Sequence, residues 1–93
     1  MKIVHEQQEA QGRFALYENE QFAGEITYTK LGENKISIDH TIVEKAFGGK
    51  GFGKVLVLEI AAYARANNIK VVPICTYAKA VFEKDTTLHD LMA

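Results

Sequence analysis

Several features that mark common protein classes are scarce or missing in this sequence. One of its 93 residues is a cysteine, Cys75, so no internal disulfide can form. No apolar run approaches the ~20 residues that a membrane-spanning helix needs. The formal net charge of −1 leaves no surplus of Lys and Arg for a phosphate backbone. The composition therefore excludes a disulfide-stapled module and predicts neither a membrane nor a nucleic acid as partner.

Length and the first residues set the expected organisation and location. A chain of 93 residues buries somewhat more than ~60% of the surface of its unfolded form, which suits one core. We therefore expect a single domain over residues 1–93, as a monomer or a weak dimer. The polar segment Met1–Gln11 does not have the pattern of a signal peptide. Together with the free thiol, this favours the cytoplasm.

Hydrophobic periodicity predicts an α+β (α/β) fold, in which an antiparallel meander of three strands precedes a β–α–β unit. The two strands of that unit would be parallel neighbours joined by a right-handed crossover. A short helix would follow near the C-terminus. The predicted strands are Ala10–Tyr17, Gln21–Thr29, Lys35–Val43 and Lys70–Cys75, and the predicted helices run from about Gly51 to Asn67 and from about Tyr77 to Lys84.

Two of the predicted strands carry positional detail. Strict alternation within Lys35–Val43 would place His40 on the same face as the three isoleucines of that strand. Pro73 lies within the last strand, where it cannot donate to a backbone ladder. We therefore expect the parallel pair to separate, or splay, near Pro73.

The segment between the third strand and the long helix is rich in glycine and lysine. Glycine lets the backbone approach a ligand closely, and the free N–H groups at a helix start attract anions. The order strand, loop, helix therefore predicts a phosphorylated ligand, with a purely structural loop as the alternative. The candidate binding residues are Phe47, Gly48, Gly49, Lys50, Gly51, Phe52, Gly53 and Lys54.

A nucleotide-binding P-loop is one alternative for this segment. Gly48, Gly53 and Lys54 match its glycine and lysine positions, but Val55 stands where Ser or Thr would bind magnesium. A dinucleotide-binding fingerprint is also incomplete, because Lys54 occupies the position of its third glycine. Neither nucleotide motif is favoured.

The glycine loop instead resembles that of the GNAT family of acetyl-CoA-dependent N-acetyltransferases. Gly51 and Gly53 match the two small positions of the family's Q/R-x-x-G-x-G/A loop, while Gly48 stands where Gln or Arg is usual. That departure removes a side-chain contact but leaves the backbone amides in place. The motif alone is short, so the rest of the chain decides how specific the match is.

Further motifs follow in the order found in one branch of that family. They are a strand with His40-Thr41, the glycine loop, an Ala-rich helix and a strand end of the form Pro73-x-Cys75-x-Tyr77. Together they resemble the minimal, single-domain GNAT-like proteins with a cysteine in the cleft, over roughly residues 10–90. The resemblance implies a small GNAT-like fold with acetyl-CoA or coenzyme A as cosubstrate. Its pyrophosphate would lie on the loop and its pantetheine arm in the splay.

Three residues are candidates for catalysis, each with a plainer alternative. Cys75 ends a parallel strand and precedes a helix whose N-terminus would lower the thiol pKa, although most lone cysteines are small buried side chains. His40 is either a hydrogen-bonded core residue or a proton acceptor for that thiol. Tyr77 either packs its ring or, as the resemblance implies, donates a proton to the coenzyme A thiol. Thr76, at the start of that helix, joins the candidate cosubstrate-binding residues.

Three classes of function remain open. We predict an N-acetyltransferase that acts on an unidentified amine, either by direct transfer or through a Cys75 thioester. A non-catalytic protein that binds coenzyme A or its acyl forms is the main alternative, and a small interaction module with a structural glycine loop is the third. No metal is expected, because the three histidines lack the spacing of metal ligands.

Overall fold

A computed structural model describes all 93 residues and reproduces most of the predicted elements. Two short 3₁₀ helices, Lys45–Phe47 and Thr86–Leu91, precede the long helix and follow the short one. Neither α-helix is long and apolar enough to cross a membrane. The strands are β1 (Lys2–Gln7), β2 (Gln11–Glu18), β3 (Gln21–Lys30), β4 (Lys35–Val43) and β5 (Lys70–Pro73), and the α-helices are α1 (Phe52–Ala66) and α2 (Thr76–Lys84).

The five strands form one mixed sheet in the order β1-β2-β3-β4-β5. Strands β1 to β4 are antiparallel, and β5 is parallel to β4. The α+β class and the parallel pair are therefore confirmed, but the meander has four strands and not three. The sequence prediction missed β1 because this edge strand has only two aliphatic residues, Ile3 and Val4. They are adjacent, so no alternation of apolar and polar residues marks the strand.

One face of the sheet packs against both α-helices. Every buried residue of α1 and α2 belongs to the same apolar core as the buried side chains of β2 to β5. The opposite face, here called the bare face, carries no helix, which an antiparallel sheet tolerates when that face is polar. The largest fully buried side chains of the core are Tyr28, Phe82, Leu16, Ile26, Ile36, Ile38, Leu56, Ile60, Val57 and Val71.

A β-bulge in β4 reverses the alternation of its side chains. Thr27 pairs with His40, but the next residue, Tyr28, pairs with Ile38, so Asp39 is an extra residue without a partner. Before the bulge Ile38 is buried in the core, whereas His40 after it is exposed. The prediction that His40 shares the isoleucine face is therefore wrong, because a one-residue insertion moves every later side chain to the other face.

The parallel pairing of β4 with β5 is short and ends as the proline predicted. The register runs from Lys35 opposite Lys70 to Ile38 opposite Pro73. Beyond it the backbone N–H groups of Ile74 and Cys75 both donate to the Ile38 carbonyl, at 3.0 Å each. Strand β4 continues to Val43 with no strand on that side, which leaves a slot between β4 and the chain after Pro73.

His5 on β1 lies in an aromatic cluster at the edge of the core. Its ring stacks on Phe14 with centroids 4.0 Å apart and meets the Tyr63 ring edge-on at 4.7 Å. Its Nε2 lies 2.7 Å from the Tyr28 hydroxyl. Burial lowers the pKa of His5 below its ordinary 6.5, and Lys30 adds to the effect against the opposing carboxylate of Glu59.

We predict that the free energy of unfolding falls as the pH drops below about 6.5, in part through His5. The depressed pKa means that the unfolded chain binds this proton before the folded chain does, so acid favours unfolding. Urea unfolding at pH 7 and pH 5.5 measures the effect. The variant His5→Gln should lose part of this pH dependence, whereas His89→Gln, at an exposed histidine, should keep it. An equal loss of unfolding free energy between pH 7 and pH 5.5 in wild type and His5→Gln would contradict the assignment.

Candidate functional site

The glycine loop has a backbone conformation that only glycine adopts readily. Gly49 and Gly51 both have φ near +78°, and Gly51 is the left-handed N-cap residue of α1. No side chain caps this helix, so its first N–H groups have no intrahelical or capping partner. The loop therefore presents free backbone donors at the positive end of a helix dipole, which is a geometry suited to an anion.

An open cavity of about 330 Å³ lies in front of this loop. Of the predicted binding residues, Lys50 and Lys54 are exposed and do not line the cavity, nor does Thr76. Lys54 instead lines a separate groove with Lys84 and Asp85. The cavity is lined by Thr41, Val43, Phe47, Gly48, Gly49, Gly51, Phe52, Gly53 and Tyr77.

Tyr77 joins the loop to the start of α2. A methyl group at position 53 would lie only 3.1 Å from the Tyr77 ring, so the absence of a side chain at Gly53 lets the ring rest on the first turn of α1. The ring remains partly exposed, at 43%. The structure thus brings Tyr77 together with the predicted glycines.

Cys75 is the N-cap residue of α2 and lies beside the slot. Its Sγ is 3.5 Å from Oγ1 of Thr41, to which the thiol donates; in the thiolate form the hydroxyl is the donor. Thr41 was not among the predicted site residues, although it forms part of the His40-Thr41 motif. The partner of the thiol is therefore Thr41 and not His40, as the reversed alternation of β4 requires.

The surroundings of Cys75 favour its thiolate. Burial alone would raise the pKa of the thiol, but the Thr41 hydroxyl and the nearby backbone amides of Ala78, Tyr77 and Thr41 lower it by more. The net effect is a pKa below the ordinary value of 9.0. This is the arrangement by which helix N-termini activate cysteines.

A second cavity of about 760 Å³ opens on the bare face of the sheet, and we call it the outer cavity. It contains His40 and Ile74, whose chain neighbours Thr41 and Cys75 lie against each other. Consecutive strand residues point to opposite faces, so the slot between β4 and β5 has the glycine-loop cavity on one side and the outer cavity on the other. It is lined by Glu6, Gln7, Gln8, Gln11, Gly12, Arg13, Thr27, Tyr28, Asp39, His40 and Ile74.

Asp39 is a further residue of this region that the sequence prediction left out. Strict alternation assigned it to the face away from His40, and only the bulge brings the two side chains to one cavity. A charged residue inside an otherwise regular apolar strand is the signal that could have indicated it. No group of three or more His, Cys, Asp or Glu side chains is placed to hold a metal ion.

Comparisons with known proteins agree with this geometry. Residues 13–91 match the family described as GCN5-related N-acetyltransferase. The chain is 34% identical to a GCN5-like protein from Staphylococcus aureus that is named as a candidate N-acetyltransferase, with a TM-score of 0.73 over 97% of this chain and 87% of that one. Comparison with the curated proteins finds no match.

Two more distant solved structures share the fold. A ribosomal-protein-alanine N-acetyltransferase from Brucella melitensis biovar Abortus is 18% identical, with a TM-score of 0.71 over 83% of this chain and 62% of that one. A protein from Bacillus anthracis, named as a candidate streptothricin acetyltransferase and solved with acetyl coenzyme A, is 21% identical, with a TM-score of 0.63 over 83% and 46%. At these identities the likeness concerns the fold alone.

We predict that Cys75 reacts as a thiolate at lower pH than an ordinary cysteine, and that Thr41→Val raises its pKa. The valine keeps the shape of threonine but removes the hydroxyl that hydrogen-bonds the sulfur. The pH dependence of alkylation by iodoacetamide measures the thiol pKa directly. Thr86→Val, at an exposed threonine, is the matched control and should leave the curve unchanged. A Thr41→Val curve identical to that of the wild type would contradict the assignment.

Proposed function

The chain belongs to the GCN5-related N-acetyltransferase family, and on that basis we propose that it transfers an acetyl group from acetyl-CoA to an amine. The observation that carries the proposal is the slot beyond Ile38 and Pro73, which lies between the glycine-loop cavity and the outer cavity. A donor can approach from the glycine-loop cavity and an acceptor from the outer cavity. The two reactants then meet beside Cys75 without crossing the core.

The glycine loop is the proposed site for the pyrophosphate of coenzyme A. The uncapped N–H groups of α1 and the positive φ of Gly49 and Gly51 support this, because both bring backbone donors close to an anion. The exposed Lys50 and Lys54 would act at longer range, by attracting the phosphates. Thr76, exposed at the start of α2, remains a proposed contact for the cosubstrate.

The slot is the proposed path of the pantetheine arm. Beyond Ile38 no strand pairs with β4 on the side of β5, so that edge has backbone groups available to an extended ligand that contains amides. The path leads from the loop toward Thr41 and Cys75, which fits a thioester delivered at the level of the Cys75 sulfur.

Cys75 is the proposed acyl carrier. Its thiolate would attack the acetyl carbonyl carbon, forming a new C–S bond as the bond to the coenzyme A sulfur breaks, and the departing thiolate would take up a proton. Tyr77 is the proposed source of that proton, because it lines the glycine-loop cavity from the first turn of α2. The expected oxyanion donors near Ile74 are not free, because the N–H groups of Ile74 and Cys75 both donate to the Ile38 carbonyl, so an oxyanion would need other donors. Direct transfer, with Cys75 only shaping the slot, is the rival route.

His40 has a proposed role different from the one that its strand suggested. Because it lines the outer cavity, it is placed to accept a proton from the acceptor amine and not from the Cys75 thiol. The reaction would take place in the cytoplasm, where a free thiol stays reduced, on a monomer or a weak dimer.

We predict that Gly51→Leu weakens coenzyme A binding at least about tenfold, or about 1.4 kcal/mol. The added side chain would disturb a left-handed residue at the loop and obstruct the approach of the pyrophosphate. Calorimetric titration with coenzyme A and acetyl-CoA measures the affinity. Gly32→Leu is the matched control, because Gly32 also has positive φ and open surroundings but lies in the β3–β4 turn. Unchanged affinity in a folded Gly51→Leu protein would refute the assignment.

Acetyl-CoA should also leave a hydroxylamine-sensitive acetyl adduct on the wild-type protein and none on Cys75→Ala. Intact-protein mass spectrometry detects the mass increase, and release of free thiol with an amine panel measures turnover. Full transfer by Cys75→Ala would leave direct transfer standing. Binding of acetyl-CoA with no transfer to any amine would instead make the protein a non-catalytic acyl-CoA binder.

A further inference from the structure

We propose that the outer cavity is the acceptor site and that it selects primary amines without a neighbouring anionic group. This inference rests on the proposed acetyl transfer and extends it from His40 to the other residues of the bare face. Most of the residues that line the cavity are polar or charged, although more of its exposed lining is apolar than polar, and its volume of about 760 Å³ has room for a small amine or the end of an amine-bearing side chain. Its position beside His40 and Ile74 places an occupant next to the slot.

The Asp39 carboxylate is the main evidence for a cationic ligand. One of its oxygens accepts a hydrogen bond from the Thr29 hydroxyl at 2.6 Å, and the other accepts one from the Ser37 hydroxyl at 2.8 Å. Ser37 is almost fully buried, so this arrangement is built into the sheet. None of the salt bridges of the chain involves Asp39. The carboxylate is therefore oriented by neutral donors and has no cation of its own.

Thr27 supplies a second, independent observation. Its Oγ1 is buried and has no hydrogen-bond partner in the chain, although buried polar atoms are nearly always paired. Thr27 lines the outer cavity and pairs directly with His40 across the strands. The atom is covered, so a ligand that displaces the groups over it and donates a hydrogen bond there would satisfy an atom that the protein leaves unsatisfied, and an ammonium group has three donors.

The charge balance of the cavity disfavours anions. Arg13 is the only Lys or Arg that lines it, and two carboxylates already hold its guanidinium: Glu6 at 3.0 Å and Glu25 at 2.7 Å. No free cation is therefore available to a ligand carboxylate, which would also be repelled by Asp39. An amine whose only charge is positive meets attraction from Asp39 and no repulsion from an unpaired cation.

The bulge brings a group that binds the amine next to a group that can accept its proton. It places the side chains of the consecutive residues Asp39 and His40 in the same cavity. Asp39 would bind the acceptor as an ammonium ion, and His40 would take one of its protons to give the free amine. The amine nitrogen would then form a bond to the acetyl carbon while the C–S bond of the Cys75 thioester breaks. The Cys75 thiolate that leaves would receive the second proton from nitrogen, giving an amide and a free Cys75 thiol.

The test compares two acceptors with the same four-carbon chain, butan-1-amine and 4-aminobutanoate. The kcat/KM for acetyl transfer from acetyl-CoA should be at least about tenfold higher for butan-1-amine. Asp39→Asn should remove most of that preference. Glu33→Gln, at an exposed carboxylate in the β3–β4 turn, deletes the same charge and should keep the preference. The two amines are compared on the wild-type protein, so the outcome of that comparison does not depend on whether Asp39→Asn folds.

A binding measurement separates this inference from the acetyl-transfer proposal. Butan-1-amine added to ¹⁵N-labelled wild-type protein, without acetyl-CoA, should shift the backbone amides of Thr27, Asp39 and His40, and these shifts should weaken in Asp39→Asn. Such shifts with no transfer to any amine would leave the binding site standing and overturn the proposed function. Transfer at equal rates to both amines, or the absence of shifts at the cavity, would overturn the acceptor site.

Discussion

The missing N–H of Pro73 is the constraint on which the arrangement of the site depends. The ladder between β4 and β5 ends after four residues at Pro73, and the next two N–H groups, of Ile74 and Cys75, both converge on the Ile38 carbonyl instead of continuing along β4. Strand β4 runs on to Val43 without a neighbour, while the chain after Pro73 turns into α2 at Cys75. The slot, the position of the thiol and the free edge of β4 all follow from that early end. A longer ladder would close the slot that lies between the two cavities.

The bulge at Asp39 acts on the same stretch of β4 in a complementary way. Without the extra residue, His40 would point into the core and Thr41 would lie on the bare face, away from the Cys75 sulfur. With it, Thr41 stabilises the thiolate on one side of the sheet and His40 faces the outer cavity on the other. A single inserted residue thus places the His40 side chain and the Cys75 sulfur on different faces of the sheet, each toward one of the two cavities.

The sequence predicted the bounds of strands and helices better than it predicted which face of the sheet each side chain occupies. The bounds of β4 were predicted correctly because its isoleucines alternate, and the end of α1 followed from the two asparagines, of which Asn68 has φ near +55°. The faces that the β4 side chains occupy after Asp39 could not be predicted, because a bulge depends on how the neighbouring strand pairs. Strand β1 was missed since an edge strand needs few apolar side chains. In the candidate site, the glycine loop and Cys75 were identified from local patterns, whereas Thr41 and the outer cavity depend on tertiary pairing that no local pattern records.

Tyr77, like Thr41, belongs both to the glycine-loop cavity and to the surroundings of the Cys75 sulfur. Its ring rests on Gly53 in the first turn of α1, and its backbone amide is one of the groups that lower the pKa of the Cys75 thiol. A ligand that moves the start of α2 as it enters the glycine loop would therefore also move a group that stabilises the thiolate. The affinity of the loop and the ionisation of the sulfur would then be thermodynamically linked through this residue, and such linkage is reciprocal. Deprotonation of the thiol would change how tightly the loop holds its ligand by the same factor as the ligand changes the acidity of the thiol.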